Sequence, residues 1–139
     1  MDCQNDFGHL VETFFFYKME VININKKFKK FNENWRPHQI AIVDNMQVIL
    51  AKLKGEFVWH AHEHEDELFH VVKGTLYMQF RDRTEVVNEG EIIVVPKGVE
   101  HNPCTKNDEE VHVLLFEKLT TAHTGNVINE RTQTHYPKI

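Results

Sequence analysis

Three histidines at two-residue spacing restrict the local backbone of this chain more than any other feature. His60, His62 and His64 alternate with other residues and lead into an acidic run at positions 65–67. In an extended strand alternate side chains share one face, so His60 and His62 project together, about 6–7 Å apart. Two imidazoles at that separation can lean onto one ion, and the acidic run offers an oxygen ligand. The pattern indicates a strand that carries a metal site, while a solvated, charged loop is the alternative interpretation.

A second stretch, GEIIVVPKGVEH at residues 90–101, contains a glycine, an apolar strand, a Pro-Lys-Gly turn and a histidine. The two stretches together resemble the paired sequence motifs of the cupin superfamily, and the resemblance extends over residues 40–118. The matching patterns in this chain are His60-x-His62-x4-Glu67-x6-Gly74 and Gly90-x5-Pro96-x-Gly98-x2-His101.

The chain departs from those motifs at two positions. Four residues separate Gly55 from His60, where the common pattern has one more. Thr105 stands where an asparagine often follows the histidine of the second motif. Neither departure removes a residue that the resemblance assigns to metal binding.

The resemblance implies one divalent transition metal ion inside a barrel. Carried over position by position, the expected ligands are His60, His62, Glu67 and His101. Three imidazoles and one carboxylate suit Zn, Mn, Fe, Ni, Co or Cu, and the sequence does not discriminate among them. We expect His64 to lie on the loop surface. Asp66 or Glu65 is the alternative carboxylate if the loop is one residue tighter.

The rest of the chain after Pro37 reads as a succession of short strands. Apolar and β-branched segments are separated by turns at regular intervals, without intervening helices, which favours an all-β sandwich or small barrel. With the resemblance, the expected fold is a double-stranded β-helix, the cupin or jelly-roll barrel. We predict about nine strands, including segments 39–43, 47–53, 57–62, 67–72, 75–80, 85–87, 91–95 and 111–117, with a polar loop at 104–110.

We expect a single domain, with an extension at residues 1–34, the barrel at 35–118 and a tail at 119–139. Apolar residues of the first 18 positions recur at three-and-four spacing, which predicts a short amphipathic helix packed on the barrel or on a second subunit. A helix that binds another partner and a translation start at Met19 are alternatives. Asn25 can cap a further short helix, or residues 25–32 form an extended arm.

The tail is polar and resembles a Thr-x-Asn-Thr-Gly-Asp segment that ends many small single-domain cupins. His123 stands where that segment has asparagine, and Asn126 stands where it has aspartate. The tail either covers the mouth of the barrel or seals an edge strand.

The composition excludes several classes of partner. The net charge is −5, and we interpret the short lysine-rich stretch at residues 26–30 as a solvated face, so we expect no nucleic-acid partner. No apolar run approaches the ~20 residues of a membrane span. Cys3 and Cys104 lack metal spacing, and the first residues do not resemble a signal peptide, which together favour a cytoplasmic protein.

The expected function is that of a metal-dependent enzyme acting on a small organic molecule, of the isomerase, lyase or dioxygenase type. Four protein ligands leave coordination positions for water or substrate. The alternative is a non-catalytic cupin that binds or senses a small ligand, and a third interpretation is a metal-free barrel. We also predict a homodimer, paired through the stretch Trp35–Val43, because small barrels leave apolar edges that need cover.

Overall fold

The computed structural model describes residues 19–139, and the helix predicted over residues 1–18 lies outside this range. Within it there is no helix long and apolar enough to cross a membrane. The described residues form one short helix and eight strands. These are α1 (Ile24–Phe28), β1 (His38–Val43), β2 (Met46–Leu53), β3 (Glu67–Lys73), β4 (Leu76–Phe80), β5 (Thr84–Val87), β6 (Ile92–Val95), β7 (His101–Cys104) and β8 (Val111–Lys118).

The strands form two antiparallel sheets. One sheet has the order β1-β2-β8-β3-β6, and the other has the order β5-β4-β7. Buried side chains of both sheets, such as Val71 and Val113 from the first and Leu76 and Met78 from the second, belong to one apolar cluster. This arrangement confirms the all-β prediction.

Side chains that face the interior of the larger sheet lie in rows across its strands. Glu67 on β3 is paired with Glu117 on β8, which is paired with Gln47 on β2. We call these three buried residues the polar row. The next row along the same strands is Phe69, Leu115 and Ile49, and the one after it is Val71, Val113 and Ala51. The interior therefore changes from polar to apolar within two residues of each strand.

Two parts of the strand prediction are wrong. Segment 57–62 is not a continuous strand, and its ladder contact with the second sheet is the isolated bridge between His60 and His101. The four residues of β7 form a buried strand. The sequence analysis assigned no strand to them and began a polar loop at Cys104. Pro103 has no N–H to donate, so the ladder between these segments is interrupted. The short sequence of β7, His-Asn-Pro-Cys, also lacks the alternation of apolar and polar residues by which strands are recognised.

The described part of the extension covers the outer face of the larger sheet. Helix α1 is capped by the side chain of Asn23, which accepts a hydrogen bond from the Lys26 amide at 2.9 Å. The expected cap, Asn25, is instead a helical residue. Phe28 and Phe31 pack on the buried side chain of Leu50, which faces away from the barrel interior.

The tail seals an edge strand, which is one of the two interpretations that the sequence left open, and an earlier part of it lies against the histidine segment. Near its end, Lys138 forms a parallel bridge with Gln39 on the edge strand β1. Earlier, the Asn126 amide donates to the Ala61 carbonyl, and the Asn126 side chain accepts from the Ala61 amide, each at 3.0 Å. Gly125 permits this contact, because a Cβ atom there would lie 2.2 Å from the Ala61 oxygen. The tail thus lies directly beside the histidine segment.

Candidate metal centre

The fold brings together the four side chains that the motifs single out. His60 and His62 lie on the irregular segment before β3, Glu67 is the first residue of β3, and His101 is the first residue of β7. One ligand atom from each lies within 4.8 Å of those of the other three. All four residues are at most 5% exposed. Residues distant in sequence therefore converge on one small, water-excluded volume.

Backbone carbonyls set the orientation of two of these rings. His60 Nδ1 lies 2.8 Å from the Val58 carbonyl oxygen, and His101 Nδ1 lies 2.9 Å from that of Val99. A carbonyl can only accept a hydrogen bond, so each Nδ1 carries the proton and each Nε2 has a free lone pair. Such carbonyl contacts are the usual way in which a metal-binding imidazole is oriented.

Several of the buried atoms inside the cluster have no hydrogen-bond partner in the protein, and a cation would satisfy them. Glu67 Oε2 lies 3.1 Å from His62 Nε2 and 3.4 Å from His101 Nε2. None of these three buried atoms has a hydrogen bond of normal geometry. A carboxylate oxygen facing the lone pair of His101 Nε2 is unfavourable unless a cation lies between them. Three imidazoles and one carboxylate fit a divalent transition metal ion.

The electrostatics of the cluster keep its ligands in the forms that bind metal. Burial, reinforced by the neighbouring His101, lowers the pKa of His60 to about 4, so His60 is neutral at neutral pH. Burial acts to raise the pKa of Glu67, but hydrogen bonds and positive charge from His101 and His62 outweigh it and hold that pKa below its ordinary value whenever their Nε2 atoms carry protons. A bound cation would take the place of those protons. Glu67 is therefore an ionised carboxylate.

A second buried carboxyl group, Glu117, lies beside Glu67 in the polar row. Burial and the Glu67 carboxylate raise the pKa of Glu117 well above its ordinary value, so it is a neutral acid. Its Oε1 atom accepts a hydrogen bond of 3.2 Å from Gln47, whose own oxygen accepts one of 2.9 Å from Gln39. The sequence analysis missed Glu117, which lies 50 positions after Glu67. Only the pairing of β3 with β8 joins them.

A cavity of about 40 Å³ lies next to the cluster. Its walls are mostly apolar and include Trp35, Phe57, Phe69 and Leu115, and its polar lining residues are His60, Glu67 and His123. His123 comes from the tail, and Tyr136, also from the tail, lies next to it with a ring-centre distance of 6.0 Å. The sequence analysis noted His123 only as a departure from a pattern, and it missed Tyr136.

The other residues considered as ligands lie outside the cluster. His64 is 80% exposed and is 3.7 Å from Glu63. Asp66 accepts a hydrogen bond of 2.8 Å from the Lys97 amide and is exposed. Glu65 accepts a hydrogen bond from Thr120 at 3.1 Å. Among the described residues, the loop register therefore presents Glu67, and neither of its two acidic neighbours, to the histidines.

Fold and site together define a small antiparallel β-barrel with a candidate three-histidine, one-carboxylate metal centre. The cupin domain family matches residues 46–117, and the chain belongs to that family. An uncharacterised protein of Bacillus subtilis, YdbB, is 33% identical over 89 residues, which are 57% of this chain and 79% of that protein.

Two crystal structures of similar proteins support the assignment. A cupin-2 domain containing protein of Shewanella frigidimarina is 47% identical, with a TM-score of 0.69, and the match covers 70% of this chain and 94% of that one. Protein NMB1881 of Neisseria meningitidis is 33% identical, with a TM-score of 0.65, over 71% of this chain and 99% of that one.

Proposed function

We propose that this protein is a metal-dependent cupin enzyme that acts on a small organic molecule. One divalent transition metal ion would be held by His60, His62, Glu67 and His101. The chemistry is of the isomerase, lyase or dioxygenase type. The observation that carries the proposal is the set of buried ligand atoms that face one another without hydrogen-bond partners.

The surroundings of the cluster favour catalysis over binding alone. When bound, the metal would act as a Lewis acid that polarises an oxygen of the substrate. The cavity beside it is not only apolar, because His123 lines it and Tyr136 and the neutral acid Glu117 lie nearby. Groups that hold or move a proton next to a polarised oxygen are what a proton-transfer enzyme requires.

A non-catalytic cupin that binds or senses a small ligand is the second candidate function. The small, mostly apolar cavity supports it, because a binding protein needs shape and a few polar contacts but no proton-transfer groups.

The first experiment measures metal content and then activity. The purified protein is stripped with a chelator, reloaded separately with each of the six ions, and analysed for bound metal. We expect one ion per chain. Loaded and stripped protein are then screened against small hydroxy, keto and amino acids and thiols. Metal-dependent turnover would support the enzyme, binding without turnover would support the sensor, and failure to retain any of the ions would contradict both.

We also propose that the protein is a cytoplasmic homodimer. Val86 on β5 and Ile92 and Val94 on β6 are apolar, at least 50% exposed, and located on strands at the edges of their sheets. The predicted interface at Trp35–Val43 is partly used within the chain, since Trp35 stacks on Phe57 with a ring-centre distance of 4.8 Å. Light scattering at micromolar concentration should give twice the 16.5 kDa mass of the chain, and a monomer mass would contradict the dimer.

A further inference from the structure

The tail supplies a histidine to the cavity beside the metal cluster. His123 lines this cavity together with the ligands His60 and Glu67, and its ring lies 5.2 Å from that of Phe57. It is not one of the four clustered ligands. His123 therefore faces the space next to the metal without belonging to the ligand set.

One hydrogen bond indicates which nitrogen of His123 carries the proton. The Gln133 amide donates to His123 Nδ1 at 3.1 Å, so Nδ1 is the acceptor and Nε2 carries the hydrogen in the neutral ring. The Arg131 carbonyl also acts on the ring as an acceptor and partly opposes the lowering of the His123 pKa by burial. The Gln133 amide can only donate, so Nδ1 remains the acceptor. His123 is thus arranged as a hydrogen-bond donor through Nε2.

Charge and size define the ligand that such a donor would meet. A divalent ion with three neutral imidazoles and one carboxylate keeps one positive charge, which attracts an anion to an open position. The cavity of about 40 Å³ is far smaller than the roughly 150 Å³ that holds a benzene molecule. A cavity of this size favours a compact anionic group over a larger ligand.

We propose that His123 donates a hydrogen bond from Nε2 to a small anionic group that occupies the open position of the metal. The inference rests on the proposed metal site, and it assigns to the tail the residue that recognises the ligand. The ligand class is a compact anion or the anionic end of a substrate, such as a carboxylate or an enediolate oxygen. His123 would then touch substrate and would be a catalytic residue of the enzyme proposed above.

The test uses the full chain loaded with Co²⁺, whose visible absorption reports its coordination, and azide as a small anionic probe. Azide is titrated into wild-type protein and into three variants. In His123→Gln, the side-chain amide can place an N–H near the position of Nε2. In His123→Asn, the shorter amide can accept from Gln133 but cannot reach the cavity. His135→Ala removes an exposed histidine of the same tail and is the matched control.

We expect all four proteins to bind Co²⁺ equally. His123→Asn should bind azide about ten- to a hundredfold more weakly than wild type, because a hydrogen bond to a charged group is lost. His123→Gln should recover most of that loss, and His135→Ala should match wild type. Recovery by glutamine separates a donor role from a merely structural one, since both amides replace the ring.

Three results would overturn the proposal. Equal azide affinity in wild type and His123→Asn would show that His123 does not contact the ligand. A large loss of Co²⁺ affinity in both amide variants would make His123 a metal ligand instead. A spectrum of the loaded wild type that azide leaves unchanged would show that no anion reaches the metal. Failure of wild type to bind Co²⁺ is a different result, which contradicts the metal site itself.

Discussion

The two ends of the barrel interior use the same strands in the same register but have opposite chemistry. At one end, Glu67, Glu117 and Gln47 lie side by side on β3, β8 and β2. Four residues further along β3, Val71 pairs with Val113, and both are fully buried. The apolar end gains free energy from burial alone. At the polar end, buried carboxyl groups and imidazoles cost folding free energy unless each of them has a partner.

The two ends therefore have separate roles. The apolar rows hold the sheets together, while the polar row and the histidines form the candidate site, whose unpartnered buried atoms a cation would satisfy. Substitutions at the apolar end should therefore change stability without changing the site. Substitutions at the polar end should change metal binding more than they change the fold.

The largest expected effect is the loss of stability caused by Leu76→Ala, a substitution in the apolar cluster. Leu76 is fully buried on β4. Truncating such a side chain leaves a cavity and lowers the free energy of unfolding by about 2–5 kcal/mol. Urea unfolding measures this loss, and elemental analysis of the folded fraction should still give one metal ion per chain. Loss of metal from folded Leu76→Ala would mean that the two ends are not separate.

The second-largest expected effect is a loss of metal affinity in the variant His101→Ala. Removing this fully buried ligand should weaken metal binding by about a hundredfold or more, since changes outside the ligand set already cost ten- to a hundredfold. The control is His64→Ala, which removes an 80% exposed histidine from the acidic stretch before β3. Competition with a chelator of known affinity measures both. Equal metal affinity in wild type and His101→Ala would remove the assigned centre.

Glu67→Gln should have a smaller effect on the same measurement. The amide keeps the shape of the side chain but loses the charge, so metal affinity and any activity should fall about ten- to a hundredfold while the protein stays folded. Asp66→Asn is the control, because Asp66 bonds the exposed Lys97 amide instead of the cluster. If Asp66→Asn lost metal and Glu67→Gln retained it, the loop register would be shifted by one residue.

The smallest effect is on the pH dependence of stability in the metal-free protein. Burial lowers the pKa of His123 to about 4, against 6.5 for an ordinary histidine. Between those values the unfolded chain binds a proton that the folded chain does not, so this residue makes stability fall as the pH is lowered. Glu117, whose pKa burial raises, acts in the opposite sense, and its contribution is lost as the pH rises through the raised pKa.

The difference between wild type and His123→Gln isolates the histidine from these other groups. Urea unfolding in the presence of a chelator, at about pH 7 and about pH 5, gives the change in free energy of unfolding for each protein. When the pH is lowered from about 7 to about 5, His123→Gln should lose less free energy of unfolding than wild type does, because it lacks the histidine that takes up a proton on unfolding. An identical change in both proteins would mean that His123 is protonated as readily in the folded chain as in the unfolded one.

The fold and the four-residue cluster were accessible from the sequence because their signals are local. His60 and His62 are two residues apart, Glu67 follows within the same stretch, and His101 comes directly after a turn with its own glycine and proline. Short apolar runs separated by turns predicted the all-β fold. Strand β7 was missed because a four-residue strand that contains a proline has no periodicity to recognise.

The residue pattern alone specified the all-β class, the spacing of the candidate ligands, and two interpretations of the tail. Long-range packing was needed to show that the tail pairs with the edge strand β1 and that it places His123 beside the candidate metal cluster. It also decided that Glu117 is a neutral acid next to Glu67, and that Asp66 faces the surface. The physical reason is that these properties depend on burial and on contacts between distant segments. A residue's pKa and its partners are set by what packs against it, and no local pattern records that.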